Sequence, residues 1–203
     1  MRGRILTSIF LIYSTNISLA DINQCLNISN DLDRLTCYDK VSGHTPVTTN
    51  TTIKNSPWVS STETSKLTDD KNVVIFVESE DPINCRWNRT DKASLVLRCH
   101  EKRTLLHINT QCHMTSSEYD SYGDVTYRLD SEKAKTTSMT ASTDNRALGL
   151  WTGGKSIPVI KQMIGKEKLV VRMVPYGESP ITATFNITGL EEAIKPLRTE
   201  CKW

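Results

Sequence analysis

Residues 168–203 read KLVVRMVPYGESPITATFNITGLEEAIKPLRTECKW. Leu169, Val171 and Met173 alternate with Val170, Arg172 and Val174, and Ile181, Ala183, Phe185 and Ile187 alternate with Thr182, Thr184, Asn186 and Thr188. Period two is the mark of half-buried strands, so two adjacent strands are expected here. Between them, residues 175–180 hold Gly177 and are bounded by Pro175 and Pro180, which remove ladder donors and favour a turn, giving an antiparallel hairpin. Thr188 followed by Glu191 forms a capping box that predicts a helix start. Leu190, Ala193, Ile194, Leu197 and Cys201 then make one apolar stripe, interrupted by Pro196, where a kink or restart is expected.

Upstream of this hairpin the same grammar recurs. Residues 58–59, 73–77, 95–99, 105–110 and 125–129 read as strands separated by polar turns. Ser156, Ile157 and Pro158 predict a short inserted helix that stops at Gly165, with Ile157, Ile160 and Ile164 buried. The fold class is therefore mainly β: an antiparallel β-sandwich with an N-terminal helical hairpin, one short inserted helix and a C-terminal helix. Residues 1–20 read as a secretory signal peptide, with Arg2 and Arg4, an apolar core and Ser18-Leu19-Ala20 at the cleavage point. Residues 21–41 make the helical hairpin, 42–57 a Thr-rich linker, and 58–203 the sandwich domain with its terminal helix. Beyond the leader no stretch approaches the ~20 apolar residues of a membrane span.

The two leader arginines account for the excess of 25 basic over 23 acidic side chains, so the mature chain is formally neutral. A nucleic-acid partner, which wants a net basic face, gains no support. The six cysteines Cys25, Cys37, Cys85, Cys99, Cys112 and Cys201 all follow the leader. An even number in an oxidising compartment implies disulfides, with 15 connectivities formally open. Local spacing favours Cys25 with Cys37 and Cys85 with Cys99, leaving Cys112 for Cys201. In the first pair a break at Ser29-Asn30 is required, since a continuous helix would hold the two cysteines about 18 Å apart.

Few residues carry recognisable chemistry. His100, His107, Cys112 and His113 cluster in sequence but lack metal-ligand spacing, so no metal or other cofactor is expected. No nucleophile elbow occurs, and no catalytic residue is assigned. Gly149 to Ser156 formally matches a phosphate loop. Such loops follow a buried parallel strand, whereas this one stands in an exported β-rich chain, so it reads as a turn. Arg128 and Asp130 share a strand face and are candidates for a cross-strand pair or a ligand contact. Trp151, in the glycine-rich turn, either packs on the sheet or is exposed for recognition; with Arg128 and Asp130 it forms the candidate binding surface.

Several local strings in fixed order suggest a family. They are Arg34-Leu35-Thr36-Cys37-Tyr38-Asp39, Leu95-Val96-Leu97-Arg98-Cys99, Thr126-Tyr127-Arg128-Leu129-Asp130, Ser142-Thr143-Asp144-Asn145, and the terminal run from Gly189-Leu190 through Pro196-Leu197-Arg198 to Cys201-Lys202-Trp203. Together they resemble the VasI/TagO family of type VI secretion-associated proteins over essentially the whole mature chain. The resemblance implies an exported protein of a Gram-negative bacterium that accompanies a contractile secretion apparatus, and it brings no known catalytic residue or ligand. The expectation is therefore a periplasmic accessory protein, not an enzyme, that works by binding an envelope or secretion-apparatus protein. The alternatives are an envelope enzyme or inhibitor acting on peptidoglycan, or a sugar- or peptide-binding module.

Overall fold

The computed structural model describes residues 24–28, 31–42, 51–52, 56–66, 68–85, 88–118 and 120–203. The chain divides into two compact units, Met1–Val47 and Thr48–Trp203. In the first, a helix spans Asp31–Val41, and Cys37 within it is bridged to the buried Cys25 with Cα atoms 5.5 Å apart. A hairpin of two helices is not seen among the described residues. The turn expected at Ser29 and Asn30, and the leader at residues 1–20, lie outside them.

The second unit is one antiparallel sheet of eleven strands among the described residues. They are β1 (Thr51–Thr52), β2 (Val59–Thr64), β3 (Lys71–Cys85), β4 (Asn88–His100), β5 (Arg103–Asn109), β6 (Asp124–Leu129), β7 (Lys135–Ser138), β8 (Thr140–Ala141), β9 (Ala147–Leu150), β10 (Lys168–Met173) and β11 (Ile181–Asn186). The spatial order is β7-β6-β10-β11-β3-β4-β5-β9-β8, with β2 also on β3 and β1 on β2. Thr51 and Thr52, inside the stretch read as linker, pair with Ser60 and Val59. The terminal hairpin forms as its alternation implies, with Leu169 opposite Phe185 and Val171 opposite Ala183, all four buried.

A two-sheet sandwich is not what forms; the sheet is nearly closed into a barrel, for two reasons. Strand β3 is fifteen residues long and pairs with β2 from Lys71 to Phe76, then with β11 at Ser79. One strand thereby stitches what would otherwise be two sheets. At the other margin, β7 pairs with β6 and β8 with β9, yet only Met139 separates β7 from β8. The chain changes partners at this residue, whose side chain is buried and whose N–H bonds Gly123 O at 2.9 Å. Full closure removes sheet edges, and this crossover brings the two ends of the strand order almost together.

The interior is filled from both sides. Leu95, Leu106 and Ile108 meet Val125, Leu169 and Val171, and the helix Gly153–Met163 contributes Ile160 and Met163. Each fully buried aliphatic side chain of this kind contributes about 1.5–3 kcal/mol. That helix begins four residues before the expected start, with Thr152 at its N-cap. Ser156 is therefore not a cap; it lies inside the helix, and its buried hydroxyl donates to Thr104 O at 2.7 Å. The capping box at Thr188 does not form either. The N-cap is Gly189 at φ 79°, without a side-chain cap bond, and Thr188 N–H turns back to Asn186 Oδ1 at 3.1 Å. A left-handed cap suits glycine, which has no Cβ penalty there. The helix then runs Leu190–Ala193, breaks at Ile194 and restarts as Lys195–Cys201 with Pro196 in its first turn.

The bridges in this unit join Cys85 to Cys112 and Cys99 to Cys201, which corrects the pairing expected from spacing. The reason is the β3–β4 hairpin. Cys85 sits opposite Asn88 at its tip, whereas Cys99 sits opposite Val73 at its far end. Eleven residues of extended strand put Asn88 and Cys99 about 36 Å apart at ~3.3 Å per residue, far outside disulfide reach.

Candidate functional site

Three loops and the hairpin tip enclose a cleft of about 350 Å³, lined by Gln111, His113, Asp144, Arg146, Tyr176 and Glu178 among others, with the Cys85–Cys112 bridge in its wall. Local chemistry makes these loops stiff. In the turn after β8, Ser142 Oγ donates to Asp144 Oδ1 at 2.5 Å and accepts from the N–H groups of Arg146 and Ala147. The Ser142 hydroxyl holds the Asp144 carboxyl below the usual carboxylate range, helped by the Arg146 N–H. This turn is cross-braced to the loop after β5 by Thr110 N–H to Arg146 O at 3.0 Å and Met114 N–H to Asn145 O at 2.7 Å. Arg146 Nη1 reaches Gln111 Oε1 at 3.3 Å.

The third loop, 174–180, is tied in by Tyr176 N–H to His113 O at 2.8 Å. Tyr176 is 57% exposed, yet its ring is buttressed by His113 at 5.7 Å and Tyr122 at 5.4 Å between centroids. A fixed, exposed phenol beside groups of both charges can hold an apolar body and hydrogen-bond its edge.

The residues singled out in the sequence are not brought together. Arg128 is exposed on β6, opposite Val170. Asp130 has left the strand at φ 45°, and its Oδ1 accepts the N–H groups of Glu167 at 3.1 Å and Lys168 at 2.9 Å. It closes a turn, so its carboxylate is already engaged by backbone. Trp151 is half-buried; its Nε1–H donates to Thr140 O at 3.0 Å, and its ring stacks on His107 at 5.3 Å. A Cβ on Gly149 would lie 2.6 Å from that indole, so this glycine, inside β9 rather than in the turn, makes room for packing. The strand before it, β9, is antiparallel to both neighbours, unlike the strand that precedes a phosphate loop.

His107, beneath Trp151, is pushed down to about 4, first by burial and then by the Arg98 charge, with Asp144 opposing. His100 lies on β4 with Nδ1 2.7 Å from Asn72 Oδ1, and His113 stands in the cleft. Sequence reasoning missed the cleft itself. Its signals were present in the Ser-Thr-Asp-Asn turn and the proline-bounded loop around Tyr176, but the first served only as a family string and the second only as a hairpin turn.

Comparisons with known proteins assign a family. Among curated proteins there is no match. Among solved structures, the crystal structure of invasion associated protein B from Bartonella henselae covers 75% of this chain and 99% of its own, at 13% identity and a TM-score of 0.48. The family model described as type VI secretion system VasI/EvfG matches residues 24–203. The chain thus belongs to the VasI family of type VI secretion system proteins.

Proposed function

We propose that this protein is a periplasmic accessory component of a type VI secretion system, not an enzyme, and that it acts by holding a protein partner at the cleft around Tyr176. The observation that carries the reading is the exposed, buttressed Tyr176 ring. Tyrosines of this kind supply large contact area with little rotamer entropy to lose, and they are enriched at binding hot spots. Export is supported by the leader-like first twenty residues and by the three bridges, which suit an oxidising compartment.

A photo-reactive phenylalanine analogue in place of Tyr176 tests the site in living cells. The expected result is a covalent adduct with one envelope or apparatus protein, lost when the apparatus genes are deleted, together with reduced secretion in Tyr176→Ala. Unchanged secretion and no apparatus-dependent adduct would refute the reading. Cleavage of purified muropeptides, abolished by a point change in the cleft, would show an enzyme instead.

A further inference from the structure

Two helices bring their last turns to one indole. Lys161 is in the last turn of Gly153–Met163, and Arg198 and Lys202 are at the end of Lys195–Cys201. Lys161 Nζ lies 5.9 Å from the Trp203 ring centre and Arg198 Cζ 5.1 Å from it. The indole is anchored by its edge, with Nε1–H donating to Thr104 Oγ1 at 2.8 Å. Two residues upstream, the Cys99–Cys201 bridge pins the helix to β4. Beside the ring runs an open groove of about 450 Å³ lined by Lys195, Arg198, Thr199, Lys202 and Trp203.

The charges around this indole do not all cancel. Lys195 is neutralised by Glu192 at 2.6 Å, and Glu200 is taken by Lys102. Lys161 and Lys202 have no carboxylate partner among the described residues, whereas Arg198 is bonded through Nε to the main-chain oxygen of Trp203. Cations in a last turn are ordinarily explained by the helix dipole. Two helix ends supply only about one negative charge in total, at ~0.5 each, against the two full positive charges of Lys161 and Lys202. Arg198 gives Nε to Trp203 O at 3.2 Å and also lines the groove, where the rest of a guanidinium can meet an anion as a fork. An indole beside converging cations is also the composition that settles at the polar boundary of a membrane.

We infer that this groove is a phosphate-binding site, taking the phosphate of an anionic lipid headgroup or of a soluble diphosphate. The test uses the full chain and two probes: phosphatidylglycerol vesicles by co-sedimentation, and inorganic pyrophosphate by tryptophan fluorescence. Saturable binding of either probe is expected, weakened about tenfold in Arg198→Gln/Lys202→Gln and falling as salt rises. Lys161→Gln, on the other helix, is expected to weaken binding several-fold and decides the matter if the double variant fails to fold. Binding to vesicles alone assigns a headgroup, and binding to pyrophosphate alone assigns a soluble ligand. The inference is overturned if neither probe binds, if the variants bind like the parent, or if zwitterionic phosphatidylcholine vesicles bind as strongly.

Discussion

His107 offers a pH test of the packing under Trp151. Its folded-state value of about 4 lies below the ordinary 6.5, because burial and Arg98 both disfavour the imidazolium. The unfolded chain therefore binds this proton more readily than the folded one. Stability from His107 is fully present above about 6.5 and is lost as pH falls through the window down to about 4. Linkage between those two values gives a loss of about 2 kcal/mol at pH ~5 and about 3 kcal/mol at pH ~4 relative to neutrality. His107→Gln removes the titration, so urea unfolding across this range is expected to show a flatter pH dependence by those amounts. The partners facing the ring are Trp151, Arg98 and Asp144, and none of them is altered by the change. Parallel pH profiles for parent and variant, or an NMR titration of His107 with a midpoint near its ordinary value, would refute the reasoning.

Three further substitutions probe the frame. Cys201→Ser opens a bridge of sequence separation 102, against 12 for Cys25–Cys37. Chain entropy gives about 4.7 against about 3 kcal/mol, so calorimetry is expected to show a lower melting temperature for Cys201→Ser than for Cys25→Ser. Gly149→Ala places a methyl group within 3 Å of Trp151 and His107, which is expected to cost about 1–3 kcal/mol and to shift the indole emission; unchanged emission and stability would contradict the packing. Asp130→Ala removes the acceptor of two backbone donors at a left-handed position and is expected to cost about 1–2 kcal/mol, whereas Asp130→Asn, which keeps the acceptor and tolerates that backbone, is expected to be nearly neutral by chemical denaturation.

What the sequence made legible was local. The alternation in residues 169–173 and 181–187 specifies a hairpin because period two lets only one face be buried, and Pro196 specifies a restart because it cannot donate to Glu192. Closure was illegible because it depends on partner choice at single residues. Nothing in the alternation of β3 announces that Ser79 faces β11 while Phe76 faces β2, and Met139 looks like any apolar residue between two threonine-rich strands. The helix starts were misplaced for a related reason. Thr188 and Ser156 have capping chemistry, but Gly189 can adopt the left-handed cap at no steric cost, and a buried carbonyl at Thr104 claims the Ser156 hydroxyl. Arg128 and Asp130 stand out as charges sharing a strand face and Trp151 as an aromatic in a glycine-rich turn, criteria that do not separate a side chain bonding nearby backbone from one left for a partner.

The disulfides show why the cleft was missed along with the connectivity. Reading Cys85 and Cys99 as a local pair ties the strand at 95–99 to the turn before it, which leaves no room for a hairpin with distant ends. As a hairpin, the same residues form a rigid bar with a bridge at each end: Cys85–Cys112 at the tip, and Cys99–Cys201 at the base. The tip bridge holds the loop that carries His113 against Tyr176, and the base bridge holds the helix that carries Arg198 beside Trp203. Each bridge therefore fixes one candidate binding feature to the same pair of strands. The long ladder between β3 and β4 duplicates neither bridge, since backbone hydrogen bonds set the strand spacing but not the position of a loop or helix at either end. Preorganisation of both features thus comes from covalent ties at the ends of the sheet, so reducing the two bridges is expected to loosen both candidate sites along with the fold.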